Sequence, residues 1–546
     1  MRFDYIIIGA GSAGCVLAER LTRDGRSTVL LIEAGGTNRS LLVSMPRGMA
    51  KIWGNPRYYW QFPVEPQPFR PAGETWMYGR GLGGSSAVNG TWYYRGQPQD
   101  YDAWEQQGNA GWNWQTIARC YRELECYRDP EAASGRGIDG PLEVTRSRDD
   151  SPLTHALLAA GREIGLPVLD DVNTPARAGI GLSQMTVDRR GRRVSAATAF
   201  LKQARRRANL TICTDATVQR VLIEAGRATG VVCTRAGRDV TYHAAREVIL
   251  SAGVLQSPKL LHLSGIGPAP VLDALGVRPI VDNPAVGRNM AEHMMVSMSF
   301  RLNGMAGQNR EFRGWRLAAN TLRYLATGTG LMAALVPDVS AMLSTTGDDR
   351  WPDVQLGIAP FSMTTSADDK PEAGRGTTDA FAGITVVGFY LRPASRGRVW
   401  AKSTDATLPP ALAANWFDAP EDRVAMRTMI KTIRAFVRQP ALAGFVGEEL
   451  VPGAQAKTDA EIDRAAEWML STGLHGTGTC RMAPQAASAD GIGGVVDARL
   501  RVHGVEGLRV VDCAVMPTPI SGNTNGPAMA VAWRAAELIL EDRDRH

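Results

Sequence analysis

Six residues near the start of the chain, GAGSAG at positions 9–14, have the glycine spacing G-x-G-x-x-G. An apolar run precedes them, a helical pattern follows, and a second apolar run ends in Glu33. In this order Gly9 permits a tight turn, Gly11 lets backbone approach a pyrophosphate, and Gly14 lets the helix pack on the strand. The helix N-terminus suits phosphates, and Glu33 is placed to accept from a ribose hydroxyl. The pattern predicts a dinucleotide site without separating NAD from FAD.

A second glycine-rich stretch covers residues 79–90. So many small residues predict backbone that lies directly against a ligand. The alternative is a flexible surface linker, but Trp76, Tyr78 and Trp92 flank the stretch, and linkers do not carry such dense aromatic residues. We therefore expect an ordered loop at a ligand.

Two C-terminal segments carry residues that suit acid–base chemistry. His475 lies in HGTGTC, whose glycines would let a ligand come close. A neutral imidazole, with an ordinary pKa of about 6.5, suits a general base. Asn523 lies in SGNTNGP, and its amide can hydrogen-bond a substrate oxygen but cannot take its proton. The alternatives are a structural histidine and a turn asparagine. We predict structural roles for five other histidines: His155, His243, His262, His503 and His546.

The composition argues against several classes of function. The 61 basic and 55 acidic residues are mixed along the chain, and the arginine clusters at 189–193 and 205–207 lack interleaved aromatic residues. We interpret these clusters as solvated surface, so nucleic-acid binding is unsupported. The seven cysteines are scattered without a C-x-x-C pair, which predicts reduced thiols in a cytoplasmic protein and no metal site. No apolar run approaches membrane-spanning length.

Apolar periodicity divides the chain into two kinds of structure. Short apolar runs at 248–250 and 508–512 join the N-terminal ones as buried strands. From about residue 296 the pattern changes to one that predicts an antiparallel sheet. The segments with strand patterns there are 353–361, 381–391 and 397–402. We expect one face of an amphipathic helix to pack in the core through Trp315, Ala319, Leu322 and Leu325.

With these motifs the chain resembles the glucose-methanol-choline (GMC) family of FAD-dependent oxidoreductases, nearly end to end. The first glycine motif matches the family's FAD fingerprint, and residues 79–90 resemble its first signature. Residues 257–267 resemble the second signature, although Val254 stands where a smaller residue is usual. Residues 475–482 resemble the catalytic-histidine segment, and 512–527 resemble the closing flavin-contact segment. The four motifs that follow the glycine fingerprint, in the family's order, favour FAD over NAD.

The resemblance implies an α/β fold, α+β overall, with two domains. A Rossmann-like FAD-binding domain would be discontinuous and would use residues 1–150, 196–295 and 476–546. A substrate-binding domain built on an antiparallel sheet would use residues 151–195 and 296–475. The change of pattern near residue 296 agrees with this division.

The resemblance also implies an activity and roles for single residues. His475 would be the catalytic base that takes the hydroxyl proton of an alcohol while hydride moves to flavin N5, and Asn523 would hydrogen-bond the substrate oxygen. His293 falls in a segment that is structural in the family, so packing is expected. The implied cofactor contacts are Gly9, Gly11, Ser12, Ala13, Gly14, Glu33, Ala34, Arg80, Gly83, Gly84, Ser85, Val88, Asn89, Gly90, Thr91, Val218, Ala252, Gly253, Asp512, Cys513, Asn523, Thr524 and Asn525. Non-covalent FAD is expected, because Val88 stands where some members attach flavin and residues 1–154 contain no histidine.

The substrate is weakly encoded. The candidate pocket wall is apolar and consists of Phe361, Met363, Phe389, Leu391, Trp416 and Leu474. It favours a primary aryl or hydrophobic alcohol, oxidised to the aldehyde, over a sugar or choline. A choline or polyol dehydrogenase and a hydroxynitrile lyase of the same family are the alternatives. The electron acceptor, O2 or a quinone-type molecule, and the oligomeric state stay open.

Overall fold

The computed structural model describes residues 1–129, 135–304, 307–334, 337–363, 378–488 and 493–545. Two seven-stranded sheets dominate it. The first sheet contains the N-terminal strand Arg2–Ile8, whose last four residues, Tyr5 and three isoleucines, are buried. Such a strand is typical of the middle of a parallel sheet, because both of its faces are covered.

The first sheet is parallel around its centre and antiparallel at one side. Arg2–Ile8 pairs in parallel with Val29–Ile32 and with the end of Arg238–Leu250, as the buried apolar runs predict. The strand order is Ala216–Glu224, Arg227–Arg235, Arg238–Leu250, Arg2–Ile8, Val29–Ile32 and Leu210–Cys213, with Leu508–Val510 beside Arg238–Leu250. The Rossmann-like arrangement that we predicted is confirmed.

The glycine turn after the first strand depends on close backbone contacts. Gly9 has φ of 98°, and a Cβ there would overlap the carbonyl of Ser251. A Cβ at Gly14 would overlap the carbonyl of Gly9, so only glycine lets the helix Ser12–Thr22 start this close to the strand. The helix packs against the final helix, Asn525–Arg545, which brings the two ends of the chain together.

The second sheet is antiparallel throughout. Its strand order is Val446–Val451, Met294–Leu302, Gly383–Tyr390, Val354–Ala359, Val339–Leu343 and Gly179–Leu182, with Ser471–Thr472 beside Met294–Leu302. The strands predicted at 353–361 and 381–391 are therefore present as neighbours. The predicted strand at 397–402 is displaced, because Arg398–Trp400 pairs with Ala411–Ala413 in a separate ribbon. The exact domain boundaries stay a prediction.

The remaining elements cover the sheets and close the space between them. The longer helices are Pro98–Gln106, Trp114–Leu124, Pro152–Glu163, Gln256–Leu263, Ala269–Leu275, Gly314–Thr327, Pro420–Val437 and Asp459–Met469. The short helical segments are Leu41–Ser44, Pro46–Gly48, Met49–Ile52, Gly84–Ala87, Ala197–Leu201, Lys202–Ala204, Gln308–Phe312, Leu331–Ala333, Pro440–Leu442 and Cys513–Val515. The short strands are Tyr59–Val64, Glu74–Gly79, Glu125–Tyr127, Leu142–Arg146, Gln184–Met185, Ile266–Gly267 and Val281–Asp282.

One predicted core face is wrong. Trp315, Leu322 and Leu325 of the helix Gly314–Thr327 are exposed, and the buried residue of this helix is Tyr324. The spacing correctly indicated an amphipathic helix, but the helix packs through its opposite side. No helix among the described residues is long and apolar enough to cross a membrane.

Candidate active site

A cavity of about 420 Å³ lies between the first sheet, the glycine turn and the edge of the second sheet. Its lining includes Gly9, Gly11 and Glu33 from the N-terminal motif, and His475 and Asn523 from the two C-terminal segments. Segments that are hundreds of residues apart in sequence therefore meet at one space. Each of the motifs predicted to form the site contributes at least one residue to the cavity wall.

The glycines on the wall leave room for a ligand. A Cβ built at Gly11, Gly90 or Gly253 would meet no atom within 4 Å, although all three residues line the cavity. The helix Ser12–Thr22 begins at Gly11 without a side-chain cap, so its first N–H groups point to this space. An uncapped helix N-terminus beside open backbone fits a pyrophosphate group.

Glu33 lines the cavity, and its carboxylate accepts hydrogen bonds mainly from backbone N–H groups. Its Oε2 accepts from the N–H of Ala10 at 2.9 Å, and its Oε1 accepts from Gly35 at 2.8 Å and Gly81 at 3.0 Å. Three such bonds fix the carboxylate beside the glycine turn. A carboxylate has about four acceptor positions, so one remains for a ligand hydroxyl such as that of a ribose.

Asp512 is hydrogen-bonded to the second-signature segment at the same wall. Its Oδ2 accepts from the N–H of Gly253 at 2.9 Å and from the Ser257 hydroxyl, and its Oδ1 accepts from Ala514 at 2.8 Å. Burial raises the pKa of this carboxyl. The final helix also reaches the wall, where Asn525 accepts from the Ser12 hydroxyl at 2.7 Å. The positive dipole end of this helix favours negative charge on a bound group.

Most of the predicted cofactor contacts lie on the wall, and their role in binding stays a prediction. The predicted contacts on the wall are Gly9, Gly11, Ser12, Ala13, Glu33, Ala34, Gly84, Ser85, Val88, Asn89, Gly90, Val218, Ala252, Gly253, Asp512, Cys513, Asn523, Thr524 and Asn525.

Four predicted contacts stand behind the wall and do not line it. Gly14 packs on Gly9, and Gly83 donates its N–H to Ala10 at 2.8 Å. The carbonyl of Thr91 accepts the backbone N–H of Thr186. Arg80 turns away, because its guanidinium lies 4.6 Å from the centre of the Trp60 ring and donates to the carbonyl of Ala34. These four residues stabilise the turns behind the wall and do not contact the ligand space directly.

His475 is positioned by two chain segments that run side by side. Ser471–Thr472 pairs with the start of Met294–Leu302, and Thr477 exchanges backbone hydrogen bonds with Ala291. Between these pairings Leu474 has a left-handed φ of 58°, which is uncommon for a residue with a side chain. Strained backbone of this kind is typical of functional sites. The turn directs the His475 ring into the cavity.

The His475 ring contacts one polar group at each nitrogen. Its Nε2 lies 2.9 Å from Nδ2 of Asn523, and its Nδ1 lies 3.1 Å from Nδ1 of His293. Oδ1 of Asn523 accepts from Gln355 at 3.1 Å, which leaves the amide hydrogens of Asn523 facing Nε2. Nε2 therefore holds a lone pair, and the ring hydrogen of His475 is on Nδ1. Burial lowers the pKa of His475 to about 3, so the ring is neutral at pH 7.

His293 is buried, as its expected packing role requires, and it also makes a polar contact with His475. Its ring is fully buried, and its Nδ1 faces Nδ1 of His475, so it must accept the hydrogen that His475 carries there. Burial and the neighbouring His475 hold the pKa of His293 well below its usual value, which keeps its Nδ1 available as an acceptor. The contact arises because His293 directly precedes the strand Met294–Leu302, which pairs with the His475 segment.

A buried acid lies directly behind the His475 backbone. Oε1 of Glu292 accepts the N–H of His475 at 2.8 Å, and Oε2 has no hydrogen-bond partner among the described residues. The Tyr78 hydroxyl is likewise buried without one, and both groups border the space behind Gly476. Burial raises the pKa of Glu292 to about 8, so the acid keeps its proton at pH 7.

The Glu292→Gln variant should unfold at a higher temperature than the wild type near pH 7. The unfolded chain ionises this acid above its ordinary pKa of 4.5, whereas the fold keeps it protonated to about 8, so wild-type stability falls as pH rises between these values. A glutamine can still accept from His475 and carries no ionisable group. Thermal unfolding at about pH 7 should show the gain, and at about pH 4.5 the gain should vanish.

The exposed Glu448, which lies 3.6 Å from Arg301, provides the control. Glu448→Gln should change the unfolding temperature little at either pH. Equal unfolding temperatures for Glu292→Gln and the wild type near pH 7 would contradict a protonated acid at this position.

The wall on the His475 side is aromatic, but its members differ from those predicted. Phe389 and Leu474 line the cavity, and the Phe389 ring lies 5.5 Å from that of His475. The sequence alone did not identify five other large residues that line the cavity: Trp60, Phe62, Tyr78, Trp92 and Val254. Tyr78 and Trp92 did flank the second glycine stretch, whereas Trp60 and Phe62 arrive from the hairpin of Tyr59–Val64 and Glu74–Gly79.

The other four predicted wall residues do not line the cavity. Phe361 packs on Phe312, and Met363 is exposed. Leu391 is fully buried behind Phe389 in a cluster with Trp92. Trp416 packs on Trp76 and donates its indole N–H to Glu74 at 2.8 Å. Phe361, Leu391 and Trp416 therefore serve packing, which was the alternative interpretation for a single residue.

The other predicted features concern metal binding and thiols. No cluster of metal-ligating side chains occurs among the described residues. All seven cysteines are free. His546 lies outside the described residues.

Comparisons with known proteins agree with the geometry. Two family models described as GMC oxidoreductase match residues 3–295 and 393–532. An oxygen-dependent choline dehydrogenase of Vibrio vulnificus is 36% identical over 541 residues, which cover 98% of this chain and 94% of the relative. An enzyme of the same description from Burkholderia pseudomallei is 37% identical over 550 residues, covering 99% and 94%.

Solved structures show the same fold. Pyridoxine 4-oxidase from Mesorbium loti superposes with a TM-score of 0.85 at 29% identity, covering 98% of this chain and 99% of that one. A formate oxidase superposes with a TM-score of 0.90 at 26% identity, covering 100% and 99%. A fungal aryl-alcohol oxidase, at 21% identity and a TM-score of 0.84, shares the fold.

Proposed function

Because this chain belongs to the GMC oxidoreductase family, we propose that it oxidises a primary aryl or hydrophobic alcohol to the aldehyde with His475 as the base. The family binds FAD and acts on CH–OH groups, and the glycine-lined wall with its uncapped helix N-terminus fits that cofactor. The observation that carries the proposal is the neutral imidazole of His475, with its Nε2 facing the cavity beside Asn523.

The chain's own residues bind the hydroxyl and take its proton. Nδ2 of Asn523 donates to the substrate oxygen, and Nε2 of His475 accepts the hydroxyl proton. His475 then carries hydrogens on both nitrogens, and its Nδ1–H donates to Nδ1 of His293. Bound FAD supplies the hydride acceptor for the carbon-bound hydrogen. The buried aromatic wall excludes water, which strengthens these polar contacts.

The aromatic wall supports the choice of substrate. The Phe389 ring lies 5.5 Å from that of His475, and Trp92 packs on Phe389. The acids on the described wall are Glu33 and Asp512. Both of these carboxylates accept backbone hydrogen bonds beside the glycine turn and the second signature. Aromatic side chains bury large apolar areas and stack with aryl groups. An uncharged aryl or alkyl side group therefore suits the His475 side better than a sugar.

Benzyl alcohol should be turned over with a kcat/KM at least about tenfold above that of choline or glucose, since a fitting apolar group adds about 1–3 kcal/mol of transition-state binding. The assay is steady-state oxidation with an artificial dye and, separately, peroxide formation in air. The second measurement also distinguishes an oxidase from a dehydrogenase. A higher kcat/KM for glucose would contradict the apolar pocket.

Choline oxidation is the second candidate. It is favoured by the relatives described as choline dehydrogenases and by the rings of Trp60, Tyr78 and Trp92, because aromatic faces attract quaternary ammonium groups. The same panel decides between the two. A kcat/KM for choline above that of benzyl alcohol would establish this candidate in place of the first.

The flavin should leave the chain on denaturation. Val88 lines the cavity where a covalent link would form in some family members, and its side chain has no nucleophile. Cys513 also lines the cavity, but burial raises the pKa of its thiol to about 12 and keeps it protonated. Acid precipitation of the yellow protein should leave a colourless pellet and a yellow supernatant. A yellow pellet after washing would contradict non-covalent binding.

A further inference from the structure

The helix Gly314–Thr327 exposes an apolar face. Trp315, Leu322 and Leu325 are 75%, 67% and 52% exposed, and all three recur on the same side of the helix. The smaller exposed residues on this side are Ala318, Ala319 and Ala326. No described residue covers the face. A cluster of large exposed apolar residues on one element indicates a binding surface.

The opposite side attaches the helix to the protein. Tyr324 is buried in a cluster with Met45 and Met332, and Leu317 packs at its edge. Arg47 donates to the carbonyl of Leu331, which holds the chain just after the helix. The helix is thus anchored by one face while its more apolar face points outward, which is the reverse of an ordinary surface helix.

Arginines flank the exposed face. Arg310, Arg313 and Arg323 are exposed on the helix or just before it. Arg189 and Arg190 are exposed on the turn that packs against the end of the helix, where Gly191 meets Gly328. The nearby acids Glu311 and Asp188 are occupied by Arg316 and Arg192. The sequence pattern predicted that the arginines at 189–193 are solvated surface. Arg189 and Arg190 are exposed and border this apolar patch, whereas Arg193 is buried and donates to the side chain of Asn89 at 2.8 Å.

We propose that this face docks on the surface of an anionic lipid bilayer. An amphipathic helix with tryptophan and leucine on one side and arginine along its flanks lies in the plane of such an interface, with anionic headgroups at the arginines. A second copy of the chain is the less suitable occupant, because a two-fold contact would bring the same arginines against one another. The net charge of +6 also favours an anionic partner.

The anchored side of the helix is connected to the active-site wall. Met45 packs on the helix through Tyr324, and four residues later Met49 lines the cavity. The docking inference holds for any substrate and does not depend on which alcohol is oxidised.

Co-sedimentation with vesicles tests the proposal on the complete FAD-loaded protein. The probes are vesicles of phosphatidylcholine mixed with phosphatidylglycerol and vesicles of phosphatidylcholine alone. The wild type should bind the anionic vesicles, and binding should fall by about tenfold or more with neutral vesicles or with high salt. The double variant Leu322→Glu with Leu325→Glu should bind anionic vesicles at least about tenfold more weakly than the wild type.

Val424→Glu is the matched control, because Val424 is 52% exposed on another helix, Pro420–Val437. It should bind vesicles like the wild type. All variants should keep FAD and alcohol oxidation, which shows that they are folded. A wild type that stays in the supernatant with anionic vesicles would overturn the proposal. A lipid-free dimer that Leu322→Glu with Leu325→Glu dissociates would assign the face to a second copy and overturn it equally.

Discussion

His475→Gln should lose about 10²–10⁴-fold in the rate of flavin reduction by alcohol while it keeps FAD bound. The imidazole is the group whose Nε2 faces the cavity with a lone pair, and glutamine offers an amide in its place. Glutamine can still hydrogen-bond Asn523, so the wall should keep its shape. The measurement is anaerobic rapid mixing of the yellow protein with substrate, followed at the flavin absorbance.

A second histidine outside the cavity provides the control for this variant. His503 approaches the carbonyl of Ala483 at 3.1 Å and does not line the cavity. His503→Gln should reduce its flavin at the wild-type rate. Flavin reduction by His475→Gln at the wild-type rate would remove the assignment of the base.

His293→Leu should lower kcat by about 10²-fold or more with little change in KM. Without an acceptor opposite Nδ1, the more stable neutral tautomer of His475 carries its hydrogen on Nε2. That tautomer cannot take the substrate proton. Holding a catalytic histidine in the wrong tautomer is known to be costly in hydrolases built on the same logic. His293 is thus a positioning residue, since it acts through His475.

His293→Asn is the conservative partner in this comparison. The asparagine side-chain oxygen can occupy the position of Nδ1 and accept from His475, so most of the activity should return. A residue that served packing alone would give the opposite order, because leucine fills a buried site better than asparagine. Retained FAD and equal unfolding temperatures for both variants would exclude a general loss of structure.

The local sequence was sufficient to predict the part of the site that is formed by contacts between neighbouring elements. The tight turn at Gly9, the close helix at Gly14 and the acid at Glu33 all follow from contacts among neighbouring strands. These features depend on backbone geometry, which glycine spacing encodes directly. The family and its fold class were also predicted, because the glycine fingerprint and four further motifs occur in the family's order, and both are confirmed.

The contact between His293 and His475 could not be predicted in this way. The two residues are 182 positions apart, and they meet because two short segments pair at the edge of the second sheet. Pairing of distant strands depends on the complete sheet, and a periodicity of two residues does not name the partner strand. The same reason applies to Trp60 and Phe62, which reach the cavity on a hairpin.

The misplaced apolar residues have a different cause. Trp416 and Leu391 are apolar because they pack, and Trp315 is apolar on a surface. Sequence pattern identifies an apolar face but not what the face meets. The helix Gly314–Thr327 shows this most clearly, since its predicted core side is the one that it exposes.

The central claim is that a buried, neutral His475 takes the hydroxyl proton of an alcohol at the FAD cavity. The most direct measurement is the rate of anaerobic flavin bleaching by benzyl alcohol as a function of pH. A base whose folded pKa is depressed to about 3 stays unprotonated above that value, so the rate should be constant from about pH 5 to about pH 7.5. A rate that falls below an inflection at about pH 6.5 would contradict a buried neutral base. Failure of every alcohol to bleach the flavin, together with cleavage of a cyanohydrin, would place the chain among lyases and contradict the claim entirely.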